Sequence, residues 1–161
     1  VMLELGEAVY GFPSDQFWIF LTDLNEPEDN SLRLMVAEAK TLGDVEHSLF
    51  PASSTRPIVI TEDSRRFEFV WKDYVAYLVR NESFASLEEG QPTGIFLEKQ
   101  SSAYLRFLDE TTFATAVMNK PIRHWVVNCL NHCIDVASFS EPVVRELLAE
   151  PNDGGGAVKA N

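Results

Sequence analysis

The sequence predicts an α+β fold that is mostly antiparallel β, a sheet or sandwich of about six to eight strands with two helices in the C-terminal half. Three observations predict it. Apolar and polar residues alternate in several stretches, turn-forming residues separate those stretches at short intervals, and 11 Phe, 4 Tyr and 3 Trp suit pleated faces better than a tight helical bundle.

The first element is the apolar run from Phe17 to Asp23. Asn25-Glu26-Pro27-Glu28-Asp29-Asn30 then forms a polar turn, after which Leu32, Leu34 and Val36 alternate with Arg33, Met35 and Ala37. Together these predict an antiparallel hairpin. A second hairpin is expected from Pro57-Ile58-Val59-Ile60-Thr61, the turn Glu62-Asp63-Ser64, and Phe67, Phe69 and Trp71 alternating with Arg66, Glu68, Val70 and Lys72. From Asp73 to Ser83, Val75, Tyr77 and Val79 fall on one side and Tyr74, Ala76 and Leu78 on the other. Both sides are apolar, so this strand is expected to be central and covered twice.

Ser101 or Ser102 is expected to cap a helix running to about Thr112, with Leu105, Phe107 and Leu108 facing inward. The β-branched residues Val126, Val127, Ile134 and Val136, with Asn128 and Asn131, favour one or two strands between Arg123 and Ser138. Ser140 is expected to cap a second helix, with Glu141 and Pro142 in its first turn and Val143, Val144, Leu147 and Leu148 as its buried stripe. Pro151-Asn152-Asp153 and the three glycines after them start a flexible tail, leaving one globular domain over residues 1–150 and a tail over 151–161.

Charge narrows the classes of function. The chain has a formal charge of −12 over 161 residues, and Glu4, Glu7, Asp15, Asp23, Glu26, Glu28 and Asp29 all precede its first basic residue, Arg33. Such a field repels phosphate backbones and anionic lipid, so nucleic acid and membrane are not expected partners. No apolar run approaches the length of a membrane span, and no basic start leads into an apolar stretch, so no signal peptide is expected; Val1 ahead of Met2 leaves the native start open. Two cysteines are too few for a disulfide framework, which points to a reducing cytoplasm. A protein partner, a homodimer or a small ligand remains the expected kind of partner.

No phosphate-cradling loop, dinucleotide fingerprint, nucleophile elbow or zinc-knuckle pair occurs, and no cofactor or metal is expected. The acidic loop Asp23-x-Asn25-x-Pro27-x-Asp29 resembles a calcium loop, but Glu28 replaces its turn glycine and Leu34 its bidentate Glu, so a solvated hairpin tip is expected.

Two polar stretches are the candidate sites. Arg123 to Asp135 holds His124, Cys129, Asn131, His132, Cys133 and Asp135. On one strand His124 and His132 would lie about 26 Å apart at ~3.3 Å per residue and could not share an ion. Cys129, His132 and Cys133 could share zinc only on a helix, so the cysteines are expected to be small core residues. The second stretch ends a nearly apolar strand with Tyr77, Arg80, Asn81, Glu82 and Ser83, where strand ends commonly assemble sites. Pairing of Arg80 with Glu82 on one strand face is expected.

Asp73-Tyr74-Val75-Ala76-Tyr77-Leu78-Val79-Arg80-Asn81-Glu82-Ser83, Tyr104 to Leu108, and His124-Trp125 through Asp135-Val136 to Glu141-Pro142 together resemble the signature of a family of uncharacterised bacterial proteins. The resemblance spans most of the chain after residue 60 and implies a bacterial cytosolic origin. It carries no known activity. From the residues, a non-catalytic binding or accessory domain is expected, using Tyr77, Arg80, Asn81, Glu82, His124, Asn131, His132 and Asp135 as a polar patch at strand ends. The alternative is a small hydrolase pairing His124 or His132 with Asp135 or Glu82, marked by a concave pocket in which a histidine lies within hydrogen-bond distance of a carboxylate.

Overall fold

Alternation of large apolar and polar residues, carried on strands long enough to pair, produces two antiparallel sheets whose ring-bearing faces meet. The structure, a computed structural model, describes residues 17–41, 57–86 and 94–147. Their strands are β1 (Trp18–Asn25), β2 (Ser31–Thr41), β3 (Ile58–Val59), β4 (Arg66–Lys72), β5 (Tyr74–Asn81), β6 (Phe96–Lys99), β7 (Arg123–Asn128), β8 (His132–Ser138) and β9 (Val143–Leu147), with helices α1 (Ala103–Thr111) and α2 (Ala114–Met118) between β6 and β7. The first sheet runs β1-β2-β4-β9, with β3 also on β2, and the second runs β5-β8-β7-β6. The nine described strands exceed the number expected from sequence.

Leu32 faces Trp71, Leu34 faces Phe69 and Val36 faces Phe67 across β2 and β4, giving one inner face. Trp125 faces Val136, and Val127 faces Ile134, on the other. All ten are buried in one core. Phe69 meets Phe96 edge-on at 5.1 Å, so the first sheet touches the second ring to ring, a contact worth about 1 kcal/mol beyond its buried area.

Several expectations are corrected. Ile58–Val59 does not form a hairpin with β4 but pairs with the far end of β2, Lys40 opposite Val59. Between them Thr61 and Ser64 hold a tight turn, with Ser64 Oγ accepting from Thr61 N at 3.0 Å. The strand expected to be central, β5, lies at an edge of its sheet, with Leu78 42% exposed. The strands covered on both sides are β7 and β8, because α1 packs over their outer face.

The helix expected after Ser140 is instead β9, which covers the edge of β4 with Val144 opposite Phe69. Ser140 does not cap; its Oγ donates to Lys72 O at 2.9 Å. Paired Val143-Val144 favours extended chain, and β4 would otherwise present an open edge. The second helix is α2, which ends on Asn119 at φ 48°. On α1, Ser102 caps as expected by accepting from Leu105 N at 3.0 Å, but Phe107 points outward at 56% exposure while Leu108 is buried. The expected tail, 151–161, lies outside the described residues. No helix among the described residues is long and apolar enough to cross a membrane.

Two joints fix the sheets against each other. Asp73 alone separates β4 from β5, with φ 61°, and turns the chain from the first sheet into the second. At the opposite end of β8 the turn after β7 grips β1. Leu130 N donates to Ile19 O at 2.9 Å, while the Asn131 amide accepts from Leu21 N at 2.9 Å and donates to Leu21 O at 3.0 Å. β1 is an edge strand with a bulge at this point, and the amide satisfies its outward main chain. Asn131→Ala leaves both Leu21 groups without that partner and is expected to cost about 2 kcal/mol, read by urea unfolding.

Candidate functional site

The site follows from the period of two along β7 and β8. Trp125, Ile134 and Val136 point into the core, so the intervening His124 and Asp135 must point to the other face. There α1 covers them, and they are among the most buried polar side chains of the described residues, at 1% and 3% exposure. Buried polar groups of this kind need partners. Asp135 Oδ1 lies 2.9 Å from His124 Nε2. Its other oxygen accepts from Arg80 Nη2 at 2.8 Å and from Nε at 3.2 Å. His124 Nδ1 lies 2.8 Å from Ser102 Oγ.

A neutral imidazole satisfies the whole chain: Ser102 Oγ accepts the Leu105 N–H as a helix cap and turns its own proton to His124 Nδ1. His124 Nε2–H then donates to Asp135, and Arg80 supplies the counter-charge on the outer side. The Tyr104 ring stands edge-on to His124 at 5.2 Å and fixes the imidazole plane. Tyr104 Oη is shielded from solvent and has no hydrogen-bond partner among the described residues. Burial, with the nearby Asp135 charge adding to it, pushes this phenol up to about 12.

These groups form one wall of a cleft of about 570 Å³ between α1 and the β5 side of the sheet. Ala76, Leu78, Phe107 and Leu108 supply its apolar lining; Arg80, Ser102, His124 and Asp135 supply its polar side, with Ser86 and Lys99 at its border. Cleft volumes of a few hundred cubic ångströms suit small organic ligands.

The sequence-derived candidates therefore separate. Arg80, His124 and Asp135 converge, and Tyr77 also borders the cleft while its hydroxyl donates to Glu26 at 3.2 Å. Asn131 clamps β1 and takes no part in the cleft lining. Asn81 faces His132 across β5 and β8, beyond the cleft, and its side chain accepts from Ser83 N at 3.0 Å. His132 Nδ1 is buried without a partner among the described residues. The expected Arg80–Glu82 pair is replaced by Arg80–Asp135, because Glu82 leaves the strand to begin a short 3-10 turn and Asp135 stands across from Leu78, two residues from Arg80 and on the same face of β5.

Cys129 joins the inner core, whereas Cys133 shares its face of β8 with Asp135. Burial pushes both thiols up. Among the described residues no group of three or more His, Cys, Asp and Glu is placed to hold a metal ion. Ser102, Tyr104 and Leu78 were not singled out for a site. Ser102 carried only its capping signal, and nothing in one sequence joins it to a histidine 22 positions away.

Burial alone would raise the Asp135 carboxyl, but the hydrogen bond from His124 and the Arg80 charge outweigh it and hold it below its ordinary 3.8. A depressed folded-state value contributes stability that is complete above the unfolded value, about 4, and is lost as pH falls through the folded one. Asp135→Asn is expected to flatten that acid loss. It should also cost about 2 kcal/mol at neutral pH, less than for a fully buried pair because the Arg80 head is partly solvated. Denaturant melts between pH 3 and pH 7 would show both effects.

Against known proteins, no family model, no curated protein and no solved structure matches the chain significantly.

Proposed function

We propose that this chain is a non-catalytic binding domain that takes a small organic ligand in the cleft between α1 and β5. The observation that carries the reading is a polar wall whose buried members already hold one another, set beside an apolar wall open to solvent. Both ring nitrogens of His124 are engaged, and the imidazole links Ser102 to Asp135. Pre-organised polar groups of this type give orientation without ordering cost on binding. The acidic charge and the scattered basic residues support a partner that is neither nucleic acid nor membrane. The family resemblance and the low cysteine count support a bacterial cytoplasmic setting.

The test is a fragment screen by amide NMR on the whole chain. Hits are expected to shift the amides of residues 76–80 and 102–108 together. Hits confined to any other surface would remove the reading.

One observation favours a second reading, a hydrolase. Ser102 Oγ, the His124 ring and the Asp135 carboxylate stand in hydrogen-bonded series, at 2.8 Å and 2.9 Å, and the cleft brings a histidine beside a carboxylate. Two features weigh against it: Ser102 is only 4% exposed, and its oxygen already accepts the capping N–H. Labelling of Ser102 by a fluorophosphonate, lost in His124→Ala, would replace binding with catalysis; an unlabelled serine retains binding.

A further inference from the structure

The guanidinium of Arg80 is held in one orientation yet only partly used. Nε and Nη2 both donate to a single oxygen, Asp135 Oδ2. An arginine has five N–H groups in a planar fork. The Nη1 edge therefore keeps its donors, and the Arg80 side chain is 37% exposed at the cleft while its carboxylate partner is 4% exposed. Asp135 cannot turn to take a second bond from Nη1, because its remaining oxygen is committed to His124.

The surroundings select among anions. Arg80 and Asp135 neutralise each other, Lys99 at the border of the cleft has an interaction of its own, and the chain carries −12 overall, so a multiply charged phosphate would meet a repulsive field. A planar monoanion matches the remaining fork edge in shape and charge. Leu78 shares the outer face of β5 with Arg80, two residues away, and Phe107 projects from α1 across the same opening; both are large, apolar and substantially exposed. Exposed apolar side chains grouped beside a fixed cation suit a ligand with an acid head and an apolar body.

We infer that the cleft recognises an amphipathic monocarboxylate, its acid group on the Nη1 edge of Arg80 and its hydrocarbon or aryl body against Leu78 and Phe107. This rests on the binding reading above and specifies its ligand class.

The experiment titrates octanoate and phenylacetate into the ¹⁵N-labelled full chain, with octanamide, octylamine and inorganic phosphate as comparisons. The carboxylates are expected to shift the amides of 76–80 and 102–108 and to bind at least tenfold more tightly than the amide of equal length. Arg80→Gln should remove that preference. Because this variant also strips Asp135 of its counter-charge and can fail to fold, Leu78→Glu serves as the second variant. It sits at a solvated strand position and places a competing carboxylate beside Arg80, so the spectrum should stay folded while octanoate binding falls at least tenfold. Equal binding of octanamide at the cleft, a preference for octylamine or phosphate, or undiminished octanoate binding in Leu78→Glu overturns the carboxylate assignment and leaves a ligand cleft standing. No shift at 76–80 or 102–108 with any probe overturns both.

Discussion

A carboxylate shut away from water governs the functional half of this molecule. Asp135 lies on a strand covered on both faces, where an unpaired charge would cost several kcal/mol. Everything beside it answers that cost. Arg80 reaches in from the neighbouring strand, His124 from the strand on the other side, and Ser102 holds the far nitrogen of the imidazole while capping α1. The helix is thereby tied to the sheet by a polar chain as well as by Leu108, and the cleft beside it inherits a fixed wall.

The opposite face of the same strands does different work. Trp125, Val127, Ile134 and Val136 join Phe69, Trp71 and the β2 aliphatics in a core without charged groups. The period of two thus separates one hairpin into a packing side and a polar side. Rings between the sheets make the scaffold stiff, and a stiff scaffold lets a guanidinium three strands from the far edge keep one orientation.

Much of the fold was legible because alternation survives into tertiary structure. The β1–β2 hairpin, the alternating β4, the capped α1 and the extended nature of 123–138 all read directly from residue order. Placement in the sheet was harder. β5 has the apolar composition of a central strand, yet only β8 flanks it among the described residues, since composition reports what a strand tolerates and not which neighbours it receives. Ser140-Glu141-Pro142 has the chemistry of a helix start, and the need to close the β4 edge overrode it. At the site, Arg80, His124 and Asp135 were visible as unusual polar residues on apolar strands. Their meeting was not, because Arg80 and Asp135 are 55 positions apart and join only through strand pairing. Asn131 was visible for the same polar character, and its use as a clamp on β1 depends on the first sheet, which its own sequence neighbourhood says nothing about.

The corner at Asp73 has a consequence for how the cleft is kept in phase with the core. Only this residue lies between the pairing of β4 in one sheet and the pairing of β5 in the other. Adding or deleting one residue there would leave the first sheet untouched while exchanging the odd and even positions of β5. Arg80 would rotate away from Asp135 and toward the rings, so chain length at this corner acts as the timing element that decides which side chains the cleft receives.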